Sequence, residues 1–172
     1  EKLAESLWET GHSKAGPLTA SEGGLRLHSA YNPVREAAGA VTGAGLENKS
    51  TAVFYGFGLG YHVIEAARTF PQKKIVLIEP DAGHFFAALA LLDWEDVFKV
   101  GKLVIAVGCP EEQILHLIED TSQVGGLGTG GSGSIEDAVF FDIQPFTAHA
   151  EAYFENIRTI IKRNKKKNEI NA

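Results

Sequence analysis

The octapeptide Tyr55-Gly56-Phe57-Gly58-Leu59-Gly60-Tyr61-His62 limits what this chain can fold into more than any other stretch. It follows Thr51-Ala52-Val53-Phe54, an apolar run that reads as a buried strand. It precedes Val63-Ile64-Glu65-Ala66-Ala67-Arg68, whose apolar spacing reads as a helix. Glycines between a strand and a helix allow a tight turn and close approach of another group, and they aim the first helical N–H groups at an anion. Glu79 ends the next apolar run. Strand, glycine turn, helix, and strand with a terminal acid predict a parallel βαβ unit with a nucleotide or cofactor site at its strand ends.

The rest of the pattern extends that unit. Strands are predicted at 51–56, Lys74–Pro80, Leu103–Gly108 and Asp137–Asp142, with helices between them. Asn32 suits an N-cap and Pro33 the first position of a helix that Gly43 and Gly45 end. Alternation of strands and helices implies right-handed parallel crossovers, and continuous apolar strands imply a sheet covered on both faces. The predicted fold is α/β: a three-layer α/β/α Rossmann-like domain with a mostly parallel sheet, spanning 29–163. Residues 1–28 are predicted as an N-terminal β-hairpin arm, with Glu22-Gly23-Gly24 as its turn. The final helix is expected from about Phe146 to Arg163, with 164–172 as a basic tail leading to an absent domain. Residues 125–134, almost all Gly, Ser and Thr, read as a flexible and foreign linker. A phosphate loop there ranks lower because no Lys follows the glycines.

Composition narrows the function class. A formal net charge of −6 argues against general nucleic-acid binding. No apolar run is long enough to span a bilayer, and the first residues do not form a signal peptide. Cys109 is the single cysteine, so no intrachain disulfide exists, as suits a reducing cytoplasm. It reads as a structural thiol. No Met occurs, not even an initiator, and the sequence is therefore expected to be a piece of a longer chain.

The candidate ligand-binding residues are Gly56, Gly58, Gly60, Tyr61, His62, Glu79 and Asp142. The glycines would admit the ligand, Glu79 would accept hydrogen bonds from a ribose, and Asp142 would meet a substrate or cofactor amine at the same sheet edge. Tyr61 and His62 would stack on a base or touch a phosphate. Each has a plainer reading: a turn whose glycines only allow packing, a solvated acid, a cap for the last helix, ordinary packing at a helix start. Asp81 is the better cap for the helix after Glu79. The six histidines are scattered, with no two at ligand spacing beside a third donor, so no metal is expected.

Three segments together carry a family resemblance. His28-Ser29-Ala30-Tyr31-Asn32-Pro33-Val34-Arg35-Glu36-Ala37, the turn Gly56–His62, and Ile78-Glu79-Pro80-Asp81 with Phe85, Phe86, Leu89 and Asp93 resemble motility accessory factor (Maf) proteins in order and spacing. Ala30 and Asn32 depart from the usual Lys and Asp. The resemblance implies a bacterial role beside flagellin glycosylation, where Maf proteins transfer nonulosonic sugars from CMP-activated donors to Ser or Thr. It also implies that the transferase region follows this Rossmann-like domain, so that no catalytic residue is carried here. The ligand would be nucleotide-like (a CMP-sugar), or the domain would scaffold an adjacent transferase domain and flagellin. The alternative is a class I S-adenosylmethionine-dependent methyltransferase, whose first motif the G-x-G-x-G spacing also resembles. Asp142-Ile143-Gln144-Pro145 only partly matches the amino-methyltransferase motif. No apolar run after the last helix supplies the reversed final strand of that class.

Overall fold

The computed structural model describes residues 2–119 and 134–171. Helix α1 (Lys2–Leu7) leads into a three-stranded antiparallel meander of β1 (Glu9–His12), β2 (Leu18–Glu22) and β3 (Leu25–Arg26). The Gly23-Gly24 turn forms as expected, with φ of 55° and 80°, the left-handed region that glycine enters without strain. Strand β1 was not legible: Glu-Thr-Gly-His has no apolar alternation, and all four residues are exposed. The meander is joined to the rest of the molecule, since Ala4, Trp8, Ala20 and Leu27 are buried in the same core cluster as Phe54, Phe57 and Val63.

Helix α2 (Pro33–Gly43) begins as read: the Asn32 side chain accepts a hydrogen bond from Arg35 N at 3.0 Å, and Pro33 occupies the first turn. Then follow β4 (Thr51–Tyr55), α3 (Tyr61–Thr69), β5 (Lys74–Glu79), α4 (Ala82–Leu91), a short α5 (Glu95–Phe98), β6 (Lys102–Val107) and α6 (Glu111–Glu119). After residue 134 come β7 (Ala138–Asp142), α7 (Gln144–Thr147) and α8 (Glu151–Asn171). Helix α8 runs through the stretch expected as a tail. Residues 125–133 of the expected linker lie outside the described residues.

The four core strands are all parallel, in the order β6-β5-β4-β7. The sheet grows outward from β4 through β5 to β6, then reverses so that β7 lies on the other side of β4. The reversal makes a switch point at the carboxyl ends of β4 and β7, the place where such sheets leave a crevice. Side chains alternate between two cores: Ala52, Phe54, Ile75 and Leu77 face one, and Val53, Tyr55, Val76 and Ile78 the other. Ile114 and Ile118 of α6 and Phe154, Ile157 and Ile161 of α8 cover the second face. This is the three-layer Rossmann-like arrangement.

A lysine is among the charged side chains taken into the core. Lys74 is buried at the start of β5, and its Nζ donates to Leu117 O at 2.9 Å and Ile118 O at 2.7 Å, carbonyls in the last turn of α6. A cation there also complements the negative end of the helix dipole. Lys74→Met would keep the stem and remove the donor. Urea unfolding is expected to show a loss of about 1–3 kcal/mol, with the slope unchanged.

Candidate functional site

The switch-point crevice is bordered by the glycine turn. Register places Tyr55 opposite both Ile78 and Asp142, so Glu79 and Asp142 stand on either side of Gly56 at one sheet edge. All three glycines take positive φ, 60° at Gly56, 54° at Gly58 and 105° at Gly60, as the sharp turn into α3 demands.

What the glycines admit is the protein itself. A Cβ on Gly56 would overlap the backbone carbonyl of Phe146. One on Gly58 would lie 2.7 Å from His28 Nε2 and 3.0 Å from the Phe146 ring. One on Gly60 would overlap the Trp94 indole. Phe146 comes from α7, directly after β7, and drops into the crevice that the strand reversal opens. It is 4 % exposed.

His28, from the end of the meander, closes the turn from the other side. Its Nε2 accepts a hydrogen bond from Leu59 N at 2.9 Å. The ring packs against Phe146 at 4.9 Å, edge-on to Tyr61 at 5.2 Å, and stacked over His62 at 6.0 Å. Tyr61 Oη in turn donates to Leu18 O at 2.7 Å, tying α3 to β2. Burial, with the nearby His62 adding to it, pushes the His28 pKa down to about 3, and burial pushes His62 to about 4. Both rings are neutral at pH 7.

The two acids are also engaged. Glu79 is 2 % exposed, and its Oε1 accepts from Asp81 N at 2.9 Å and from His149 Nε2 at 2.8 Å. Asp142 takes a two-pronged salt bridge from Arg158 of α8, at 2.6 and 2.7 Å. Asp81 caps α4 as read, accepting from Gly83 N at 2.6 Å.

Sequence reading missed a second cluster at this edge. His84 Nε2 lies 2.8 Å from Glu22 Oε1, His84 Nδ1 lies 3.4 Å from Asp81 Oδ2, and the His84 and His149 rings stack at 4.0 Å. Glu22, His84 and His149 offer ligand-type atoms within 4.8 Å of one another. They come from the meander, α4 and the turn before α8, so no local spacing could reveal them. Burial lowers the His149 pKa, but the hydrogen bond and charge of Glu79 outweigh it, and the net shift is upward.

The space at the edge is small. The cavity between Trp8, Gly58, Glu79, Phe146 and His149 measures about 10 Å³, the lower limit for a single water and far too small for a nucleotide. A roomier groove of about 550 Å³ runs along Tyr55, Phe140, Ile161 and Lys165, on the α8 side of the sheet. Cys109 is half-buried, and its carbonyl accepts from Tyr153 Oη at 2.8 Å. Among the described residues, no helix is long and apolar enough to cross a membrane.

Comparison with known proteins follows the same lines. Residues 26–120 match the sequence model of the family described as glycosyltransferase Maf N-terminal domain. Among solved structures, the Maf glycosyltransferase from Magnetospirillum magneticum AMB-1 is similar in fold, with a TM-score of 0.55 and 13% identity over 89% of this chain. The chain spans 31% of that protein's length. No curated protein matches the chain.

Two outcomes are expected from this geometry. Gly60→Ala meets both positive φ and the Trp94 ring, so it should lower stability by about 2–4 kcal/mol in urea unfolding. His28 and His62 have folded pKa values below the ordinary histidine value, so the unfolded chain binds protons first. Their burial is harmless above pH ~6.5, and stability should fall as pH drops from there through about 4, the folded value of His62, to about 3, that of His28. Thermal unfolding across that window is expected to show Tm falling with acid, and His28→Gln, with an amide oxygen able to accept from Leu59, should flatten the slope.

Proposed function

This chain belongs to the family of glycosyltransferase Maf N-terminal domains, and from that premise we propose that it is the accessory scaffold domain of a Maf-type protein acting in flagellin glycosylation. In this reading a separate transferase region moves a nonulosonic sugar from a CMP-activated donor to Ser or Thr of flagellin in the bacterial cytoplasm. The present domain positions that region and its flagellin substrate and supplies no reacting group.

The observation that carries the scaffold reading is the filled crevice. A nucleotide in a Rossmann-type site needs open backbone at the glycine turn and a free acid on the next strand. Here Phe146, His28 and Trp94 occupy the space above the three glycines. Glu79 is buried against Asp81 N and His149. Displacing Phe146 would expose a core aromatic, a cost of about 1.5–3 kcal/mol before any ligand contact is made. The same occupancy weighs against the methyltransferase alternative, which requires Glu79 on a ribose.

Titration calorimetry of the purified chain with CMP, a CMP-sugar and S-adenosylmethionine tests this. No saturable heat is expected with any of them. Binding of CMP or its sugar would replace the scaffold by a nucleotide site, and binding of S-adenosylmethionine would establish the methyltransferase reading.

A further inference from the structure

Glu22 ends β2, His84 lies in the first turn of α4, and His149 lies in the turn before α8. We propose that these three side chains form a zinc-class metal site that staples the N-terminal meander to the parallel-sheet unit. Two imidazoles and a carboxylate are a donor set that borderline divalent ions prefer, and three protein ligands leave a fourth position for water. The site would overturn the sequence-based expectation of no metal, which rested on spacing along the chain.

The charge of the cluster calls for a cation. Three carboxylates, Glu22, Asp81 and Glu79, each lie within 3.4 Å of an imidazole nitrogen. The two imidazoles stack face to face at 4.0 Å, where a proton on both would set like charges against each other. One dication at the centre offsets the carboxylates without that repulsion.

The outer groups are also placed as a metal site needs them. A ligating histidine holds its ring by giving its second N–H to a carboxylate. Asp81 Oδ2 faces Nδ1 of His84 at 3.4 Å, which leaves Nε2 toward Glu22. Apart from Asp81, His84 Nδ1 is buried without a hydrogen-bond partner. Glu79 takes Nε2 of His149. A tetrahedral zinc ion sets its donors about 3.4 Å apart, so the Glu22–His84 pair at 2.8 Å would open and the wider separations, none above 4.8 Å, would close by a modest side-chain movement. Glu22 is 28 % exposed, against 9 % for His84 and 11 % for His149, so it marks the entry side.

The test uses chelator-treated full chain titrated with Co²⁺ and then Zn²⁺. One Co²⁺ per chain should bind with the visible bands of a tetrahedral ion, Zn²⁺ should displace it, and Tm should rise with the logarithm of Zn²⁺ concentration. Glu22→Gln and His149→Gln should each remove the bands. Asp81→Asn should weaken Co²⁺ binding by about 10–100-fold. His12→Ala and His116→Ala, at exposed positions outside the cluster, should change nothing. Absence of the Co²⁺ bands in the unaltered chain, or their survival in Glu22→Gln and His149→Gln, overturns the site. Should those two variants fail to fold, Asp81→Asn decides alone, because asparagine can still cap α4; unchanged Co²⁺ affinity there overturns the site equally.

Discussion

The hydrogen bond from Leu59 N to His28 Nε2 is the contact on which the rest of the arrangement depends. It joins the end of the N-terminal meander to the glycine turn of the parallel-sheet unit. It uses a neutral ring, since only an unprotonated Nε2 can accept. It also fixes the ring against Phe146, which fills the crevice over the glycine turn at the carboxyl ends of β4 and β7. Without it a buried backbone donor would be left unpaired, a cost of about 1–3 kcal/mol. The turn, the plug and the meander are therefore coupled through this ring.

Glycine does the same physical work in a ligand cradle and in a packed turn: it removes a Cβ where something must come close. The difference lies in what comes close. Here the approaching groups are an aromatic ring, an indole, an imidazole and a backbone carbonyl, all from this chain. The acids beside the turn follow suit, with Glu79 bound to His149 and Asp142 to Arg158. The fold keeps the shape of a nucleotide-binding domain and gives its customary site to internal packing. The support role proposed above rests on this packing.

Much of the fold was legible because its signals are local. Val53, Val76 and their neighbours are continuous apolar runs, Asn32-Pro33 is a cap with its first helical residue, and Gly23-Gly24 is a turn. Strand β1 was illegible because its pairing with β2 is made by backbone, with no apolar face to mark it. The site was less legible for a related reason. Gly56, Gly58 and Gly60 announce a close approach but not its partner, and the partners come from residues 28, 94 and 146. The Glu22–His84–His149 cluster spans more than a hundred residues of sequence and exists only once three segments have packed. The likeness of His28–Ala37 and Ile78–Asp81 to Maf proteins was visible in sequence. That His28 acts as an acceptor inside the turn was visible only in the fold.

Native-state hydrogen exchange at the Leu59 amide reports directly whether the glycine turn is closed. A turn closed by His28 and Phe146 can release that amide only when the core opens. Protection close to that of core amides such as Val53 and Val76, reporting global unfolding, is expected. Exchange at the rate of an open, ligand-ready loop would contradict that closure.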